Sequence, residues 1–440
     1  MVPTFAALFM IFVSGATASA QTAESFSYNL DPRFRVGLRL NEPRGPSNID
    51  NQTDGVVTYG LNSQLTFQIG ARFQSDAAYN ADRDHYQTLN AFEGAESELR
   101  EANVEYRSGP MIVRVGSQTV IWGEAFGTYY ADLINPKDLR TAGFGDINDF
   151  RKPIEMVNLQ YVQESWSLQL LVIPFYRPDR LPRPYSDFFP ASVTTALARS
   201  GIALSNVDFD QSPDAPSKSP DLAFRYQSRL GAFDFSAFAF FHADRSPVFR
   251  VDLKSPSEIY LRTTSRPTNA TGLTFSWAGN AVVVRGEFVH FANRSFNTLT
   301  GHVLTPIGVA ASDQNILVLG ADFPLNQLSL FADATNWQFG LQLSTDQIGE
   351  PNPLGRKQNE SMVGFQILRD SDRTIAYRLF GGLSLGDSSV AVQASASKWI
   401  DENFKLGPEL WFVQGSAGSR LGDIRQASRL MLVLKGAFRG

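Results

Sequence analysis

Apolar and polar residues alternate along most of this chain with a period of two, in stretches of about ten residues. A strand whose two faces meet different surroundings produces this pattern, because successive side chains point to opposite sides. The clearest case sets Leu430, Leu432, Leu434, Gly436 and Phe438 against Arg429, Met431, Val433, Lys435 and Arg439. Leu222, Phe224 and Tyr226 alternate in the same way with Arg225, Gln227 and Arg229, and Trp337, Phe339, Leu341 and Leu343 with Gln338, Gly340, Gln342 and Ser344. Helical periodicity is almost absent.

The connections between these stretches are short and long by turns. Tight ones fall at 108–110, 163–165, 231–232, 278–280, 369–372 and 400–403, and long polar ones at about 75–97, 119–153, 177–219, 245–268, 293–313, 346–359 and 415–423. An antiparallel meander with one trimmed and one elaborated end gives that rhythm, as in outer-membrane barrels. Sixteen strands are predicted: 64–74, 98–107, 111–119, 154–162, 166–176, 220–230, 233–244, 269–277, 281–292, 314–323, 327–345, 360–368, 373–385, 388–399, 404–414 and 424–439. An even number puts both termini on one side of the membrane. Residues 25–60 have room for one more strand pair, so the range is 14–18. The expected fold is all-β: a transmembrane antiparallel up-and-down barrel with long extracellular loops.

Composition excludes a helical membrane protein, since the 440 residues are 43% hydrophobic and 19% charged with a mean hydropathy of -0.16. A barrel tolerates such an average, because only every second strand residue faces lipid. The run Phe5 to Val13 is nine residues long, against the roughly 20 that a spanning helix needs. Ala18-Ser19-Ala20 follows it, so residues 1–20 read as a secretory signal and 21–440 as the barrel domain. Aromatics near strand ends, namely Tyr106, Tyr161, Trp166, Phe175, Tyr176, Tyr226, Trp277, Phe291, Trp399 and Trp411, suggest interfacial girdles. A soluble secreted β-protein has the same local alternation, but no reason for the short-long rhythm.

The absence of cysteine removes disulfides, thiolate zinc sites, iron-sulfur clusters and covalent haem. A net charge of -5 without basic clusters points away from nucleic acid. His85, His242, His290 and His302 are scattered, and no spacing suits a metal. Ser236 and His242 are the nearest approach to a hydrolase pair, and Asp208, Asp210 and Asp214 to a calcium loop; the bland readings are a barrel wall and a solvated surface loop. No enzyme and no cofactor are expected.

The most specific segment is 111–153, which carries Gly116-Ser117-Gln118, Trp122-Gly123-Glu124, Asn135-Pro136-Lys137-Asp138-Leu139-Arg140 and Asp149-Phe150-Arg151-Lys152-Pro153. In these residues the chain resembles an uncharacterised proteobacterial outer-membrane β-barrel family, a domain of unknown function near the alginate-export porins. That resemblance implies a barrel and passage of a polymer or hydrophobic solute, and supplies no catalytic constellation.

Read on its own chemistry, loop 119–153 holds enough aromatic and paired charged residues to fold back into the barrel. Trp122 and Glu124 are then expected near the constriction, with a turn at Asn135-Pro136, and Asp138, Arg140 and Arg151 as further candidates. The alternative is a folding clamp between wall and loop. Loop 177–219 contains a helix-compatible stretch, Ser192 to Leu204, with Ser192 as a candidate cap, lying on the surface or plugging the lumen.

If the apolar stripes face lipid, the lumen receives Glu101, Glu105, Arg107, Arg114, Arg225, Arg229, Asp234, Arg285, Glu287, Arg378, Lys405, Glu409, Arg429 and Lys435. Cross-strand pairing accounts for most of these charges. An anion-selecting ladder of Arg114, Arg225, Arg229, Arg285 and Arg378 is the functional alternative. The sequence thus suggests a porin-like or export channel in the outer membrane of a Gram-negative bacterium, in contact with lipid and lipopolysaccharide. Its cargo is a small anionic, hydrophobic or polymeric solute, and a homo-oligomer or periplasmic partner is compatible. A plugged structural or adhesin barrel, or a scaffold for a partner protein, is the alternative.

Overall fold

Each alternating stretch pairs with its sequence neighbour, and the chain winds into a closed wall. The computed structural model describes residues 25–82, 95–126, 130–210, 220–255, 258–300, 306–327, 336–369, 375–416 and 419–440. The expected signal segment 1–20 lies outside them. The meander starts with β1 (Ser25–Arg39), β2 (Pro46–Gly60), β3 (Leu65–Asp76), β4 (Glu96–Ser108), β5 (Met111–Gln118), β6 (Ile154–Val162) and β7 (Trp166–Ile173). After the short β8 (Val207–Asp210), which stands apart, it continues with β9 (Asp221–Leu230) and β10 (Phe233–Ala243). β11 (Val248–Ser255) and β12 (Glu258–Thr264) leave the wall, and β13 (Pro267–Ala278), β14 (Val283–Leu299), β15 (Ile307–Pro324) and β16 (Trp337–Ile348) resume it. The last strands are β17 (Asn359–Arg369), β18 (Ile375–Ser384), β19 (Val390–Trp399), β20 (Phe404–Gln414), β21 (Arg429–Gly436) and β22 (Phe438–Arg439).

Antiparallel pairing of β1 with β21 closes the circle, with Arg39 opposite Arg429 and Arg33 opposite Lys435. The result is an 18-strand barrel with β22 as an extra strand on β1. A barrel of that size has an interior wide enough for an aqueous channel.

The count of sixteen therefore falls two short, and the missing pair is the β1–β2 hairpin in residues 25–60. The outward positions of β2 include Asn51, Thr53 and Gly55, which blur the alternation. Residues 293–299 and 307–313, expected in a long loop, are strand, because β14 and β15 run 17 and 18 residues, beyond the roughly 9–11 that cross a bilayer. The final strand begins at Arg429 rather than 424, since Gly422–Ala427 is a 3-10 turn. Residues 328–335 of the strand expected at 327–345 lie outside the described residues.

Outward positions are apolar and open to the surroundings: Leu38, Leu273, Leu317, Leu343 and Leu432 are each exposed. Inward positions take the polar and charged side chains. At the end with the tight turns, Tyr161 packs beside Trp166 at 5.6 Å and Trp337 beside Tyr377 at 5.7 Å, as an interfacial girdle requires. Phe291 and Trp411 do not belong to it. Both point inward and are buried, at 2% and 0% exposed.

At the other end, β8, β11 and β12 form a separate three-stranded sheet inside the expected loops 177–219 and 245–268. The helix Ala191–Arg199 packs Val193, Ala196 and Leu197 on Phe249, Val251, Ile259 and Leu261 of this sheet, so it belongs to the outer cap. Ser192 lies inside the helix and is not its cap; its backbone N–H and hydroxyl donate to Asp423 at 2.8 and 2.6 Å.

Candidate functional site: a loop across the lumen

Loop 119–153 leaves β5 at mid-wall and is tied at its neck by one side chain. Asn135, 1% exposed, accepts from the Val120 N–H at 2.8 Å and donates to the carbonyls of Gln118 and Lys152 at 3.2 and 2.9 Å. The chain bends here, as the Asn-Pro pair suggested. The wall below continues the tie: Gln118 accepts from Asn158 at 3.1 Å, and Asn158 accepts from Gln169 at 3.0 Å.

Beyond the neck the loop lies on an apolar stretch of inner wall. Val120, Trp122, Ala131, Leu133 and Ile134 pack with Phe238, Phe240, Val289, Phe291, Ile316 and Val318. Trp122 is 1% exposed; its ring lies 5.2 Å from Phe238, and its Nε1 donates to Gln169 at 2.9 Å. Glu287 on β14 completes the seat by accepting the backbone N–H groups of Glu124, Ala125 and Ala131 at 2.5, 2.7 and 3.3 Å.

The loop then reaches the opposite wall. Phe144 stacks on Trp411 of β20 at 5.3 Å, and the N–H of Gly145 donates to Gln393 of β19 at 3.1 Å. Gly145, at φ +119°, supplies a backbone geometry that residues with a Cβ rarely adopt. β10 and β20 are eight strand positions apart one way round the barrel and ten the other. The loop therefore spans the barrel close to its diameter.

Its return limb is held by charge. Asp149 accepts from Arg33 and Gln52 at 2.6 and 2.8 Å and from Arg72 at 3.1 Å. Burial opposes ionisation of Asp149, yet Arg33 and Arg72 outweigh it and hold the carboxyl well below the usual carboxylate range. Asp132 takes Arg151 at 2.5 Å. Asp138 takes Arg140 at 2.5 Å, and Arg140 also reaches Glu96 at 3.1 Å. Lys152 pairs with Glu98.

The sequence candidates divide into three groups. Trp122, Glu124, Asp138, Arg140 and Arg151 all lie in the crossing loop and inside the barrel. Arg114 and Arg285 stand on the wall paired with Glu105 and Asp322, and Arg225 lines one cavity together with Arg114. Arg229 is exposed at the tight-turn end, paired with Asp234 at 2.7 Å. Arg378 is on the inner face but makes no ion pair among the described residues. These five arginines are thus not one ladder. Ser236 and His242, six residues apart on β10, are not brought together: Ser236 meets Thr274 at 2.7 Å, and His242 stacks on Phe240 at 3.9 Å. Asp208 faces Lys254 at 3.6 Å, and Asp214 lies outside the described residues.

Sequence reasoning missed the cluster on β1 to β3: Arg33, Arg35, Asp50 and Gln52 because the first hairpin was not counted, and Arg72 because the strand 64–74 was predicted without singling it out. With Asp149, Phe144 and Phe188 these residues line a cavity of about 160 Å³ at the long-loop end. A second cavity of about 260 Å³ lies at the tight-turn side of the loop, lined by Arg114, Asn158, Gln160, Gln169, Arg225 and Gln227. Burial pushes the Glu124 carboxyl up, although Arg225 and Arg285 pull against it.

Residues 4–350 match the family described as a protein of unknown function, DUF1302. The chain belongs to that family. Among curated proteins none matches it. Among solved structures it is similar to Acinetobacter baumannii OccAB4, at 8% identity and a TM-score of 0.54 over 96% of this chain and 100% of that one. Acinetobacter baumannii OccAB2 aligns at 8% identity and a TM-score of 0.53, covering 96% and 100%. Pseudomonas aeruginosa OccD3 (OpdP) aligns at 10% identity and 0.51, covering 96% and 92%. At such identities the likeness is one of fold, and the DUF1302 chain shares it from end to end.

Proposed function

We propose that this DUF1302 protein is an outer-membrane channel whose lumen is narrowed by loop 119–153. The observation that carries the reading is the seating of that loop on two opposite walls, through Trp122 on Phe238 and Phe144 on Trp411. A structural barrel has no need to hold a loop across its middle with three wall-bonded amides and a buried ion cluster. A channel does, because the loop sets the width of the passage. The apolar outer band and aromatic girdle support the membrane location, and the similarity in fold to OccAB4 and OccD3 supports the channel class.

Two cavities of about 160 and 260 Å³ with charged and amide linings on either side of the loop favour passage of a small polar solute over a polymer. The relation to alginate-export porins rests on the motif block alone. Glu105 (which also takes Arg107), Asp322 and Asp234 pair with three of the five candidate arginines, so Arg225 and Arg378 are the stronger candidates for any anion preference. The test is conductance of the purified protein in planar bilayers. Stepwise single-channel currents are expected, and deletion of residues 124–150 raises the step size. A folded barrel without conductance, or a deletion that leaves the step unchanged, overturns the reading in favour of a plugged barrel.

A further inference from the structure

The cavity at the tight-turn side of the loop contains a cation that closes no ion pair among the described residues. Arg225 on β9 is 9% exposed. Among the described residues its Nε has no hydrogen-bond partner, and its Nη1 reaches only the Ile121 carbonyl, at 3.5 Å, the far limit of a useful bond. A buried guanidinium normally closes on a carboxylate, because an unmatched charge or donor is costly. The carboxylate whose field it feels is Glu124 of the loop, which makes no ion pair with it.

The neighbours of Arg225 are already committed. Arg114 is held in a two-point contact by Glu105. Asn158 accepts from Gln160 and Gln169 at 3.2 and 3.0 Å and donates to Gln118 at 3.1 Å, while Gln169 accepts from Trp122 at 2.9 Å. These amides fix the wall and leave the guanidinium as the open donor facing about 260 Å³ of polar space.

We infer that this cavity is a binding site for a small hydrophilic carboxylate, held by Arg225. The guanidinium fork matches a carboxylate in a planar two-point contact. The surrounding amide and hydroxyl groups of Gln160, Gln227 and Ser167 suit hydroxyl-bearing rather than greasy substituents. Glu124 of the loop, outside the cavity lining but close enough for its charge to act on Arg225, competes with the ligand's charge and so favours release. This inference rests on the channel reading only for its purpose, since binding is measurable without transport.

The probe is lactate, titrated into the detergent-solubilised full chain and followed by saturation-transfer NMR, with lactamide as its neutral analogue. Lactate is expected to bind and lactamide to bind at least tenfold more weakly. R225Q lowers lactate affinity at least tenfold, R225K lowers it less, R229Q leaves it unchanged, and E124Q raises it. Equal binding of lactate and lactamide, no lactate binding, or an R225Q barrel that binds as before overturns the site. Because the lactamide and E124Q arms keep Arg225, they test the site even where R225Q fails to fold. Bilayer conductance of the same preparations separates the two readings: a conducting protein without lactate binding refutes the site alone, and a binding protein without conductance refutes the channel alone.

Discussion

Glu287 accepts the backbone N–H of Ala125 at 2.7 Å, from a wall strand that is distant in sequence and faces it inside the barrel. The same carboxylate takes the N–H groups of Glu124 and Ala131, so one side chain seats three amides of the crossing loop. Replacing it by alanine leaves these donors without their acceptor, at about 1–3 kcal/mol for each that stays buried. E287A is therefore expected to lift the inner limb of the loop, giving larger and noisier single-channel steps and faster proteolysis within 119–134. E287Q, which keeps one acceptor oxygen, is expected to fall between the two. Identical traces for all three proteins would show that Glu287 does not hold the loop.

The apolar half of the same seat predicts a stability effect. Trp122 is fully buried against Phe238, and large-to-small changes at such sites cost about 3–5 kcal/mol. W122A is expected to lower the temperature at which the folded barrel loses its heat-modifiable gel mobility, and to enlarge the conductance. F144A removes the contact with Trp411 at the far wall and is expected to widen the passage with a smaller loss of stability. If W122A conducts like the parent, the loop does not set the width.

Much of this arrangement was legible in the alternation. Leu430 and Leu432 point outward and Arg429 and Met431 inward, as their parity required. The loop was legible through its content of Trp122, Phe144 and paired charges. The first hairpin was not, because β2 carries polar residues on both faces. The misplacement of Phe291 and Trp411 had a signal that parity could have supplied: Phe291 shares its face with Glu287 and Arg285, and Trp411 with Glu409. β10 is a further clue, since Phe238 and Phe240 face inward while Phe241 faces out, and an inner wall stays apolar only where something covers it. The partners across the lumen, such as Arg33 and Arg72 for Asp149, depend on barrel closure, which local pattern does not encode.

The charged limb gives the pH dependence. Arg33 and Arg72 hold the Asp149 carboxyl well below the usual range against the cost of burial, so its folded-state pKa is depressed. A depressed carboxylate contributes stability at pH values above its unfolded pKa of about 3.9 and loses that contribution as the pH falls through the folded value. The return limb is therefore expected to stay docked from neutral pH down to about 5, and to loosen only in stronger acid. Conductance and proteolytic protection of residues 138–150 measure this. D149N removes the charge at every pH, leaves Arg33 and Arg72 facing a neutral amide, and is expected to cost about 3 kcal/mol, the low end for breaking a buried pair. At pH 7 the variant should then be as open as the parent is in strong acid. A D149N barrel that is as protected at pH 7 as the parent would show that Phe144 on Trp411 and the neck at Asn135 hold the limb without the ion cluster.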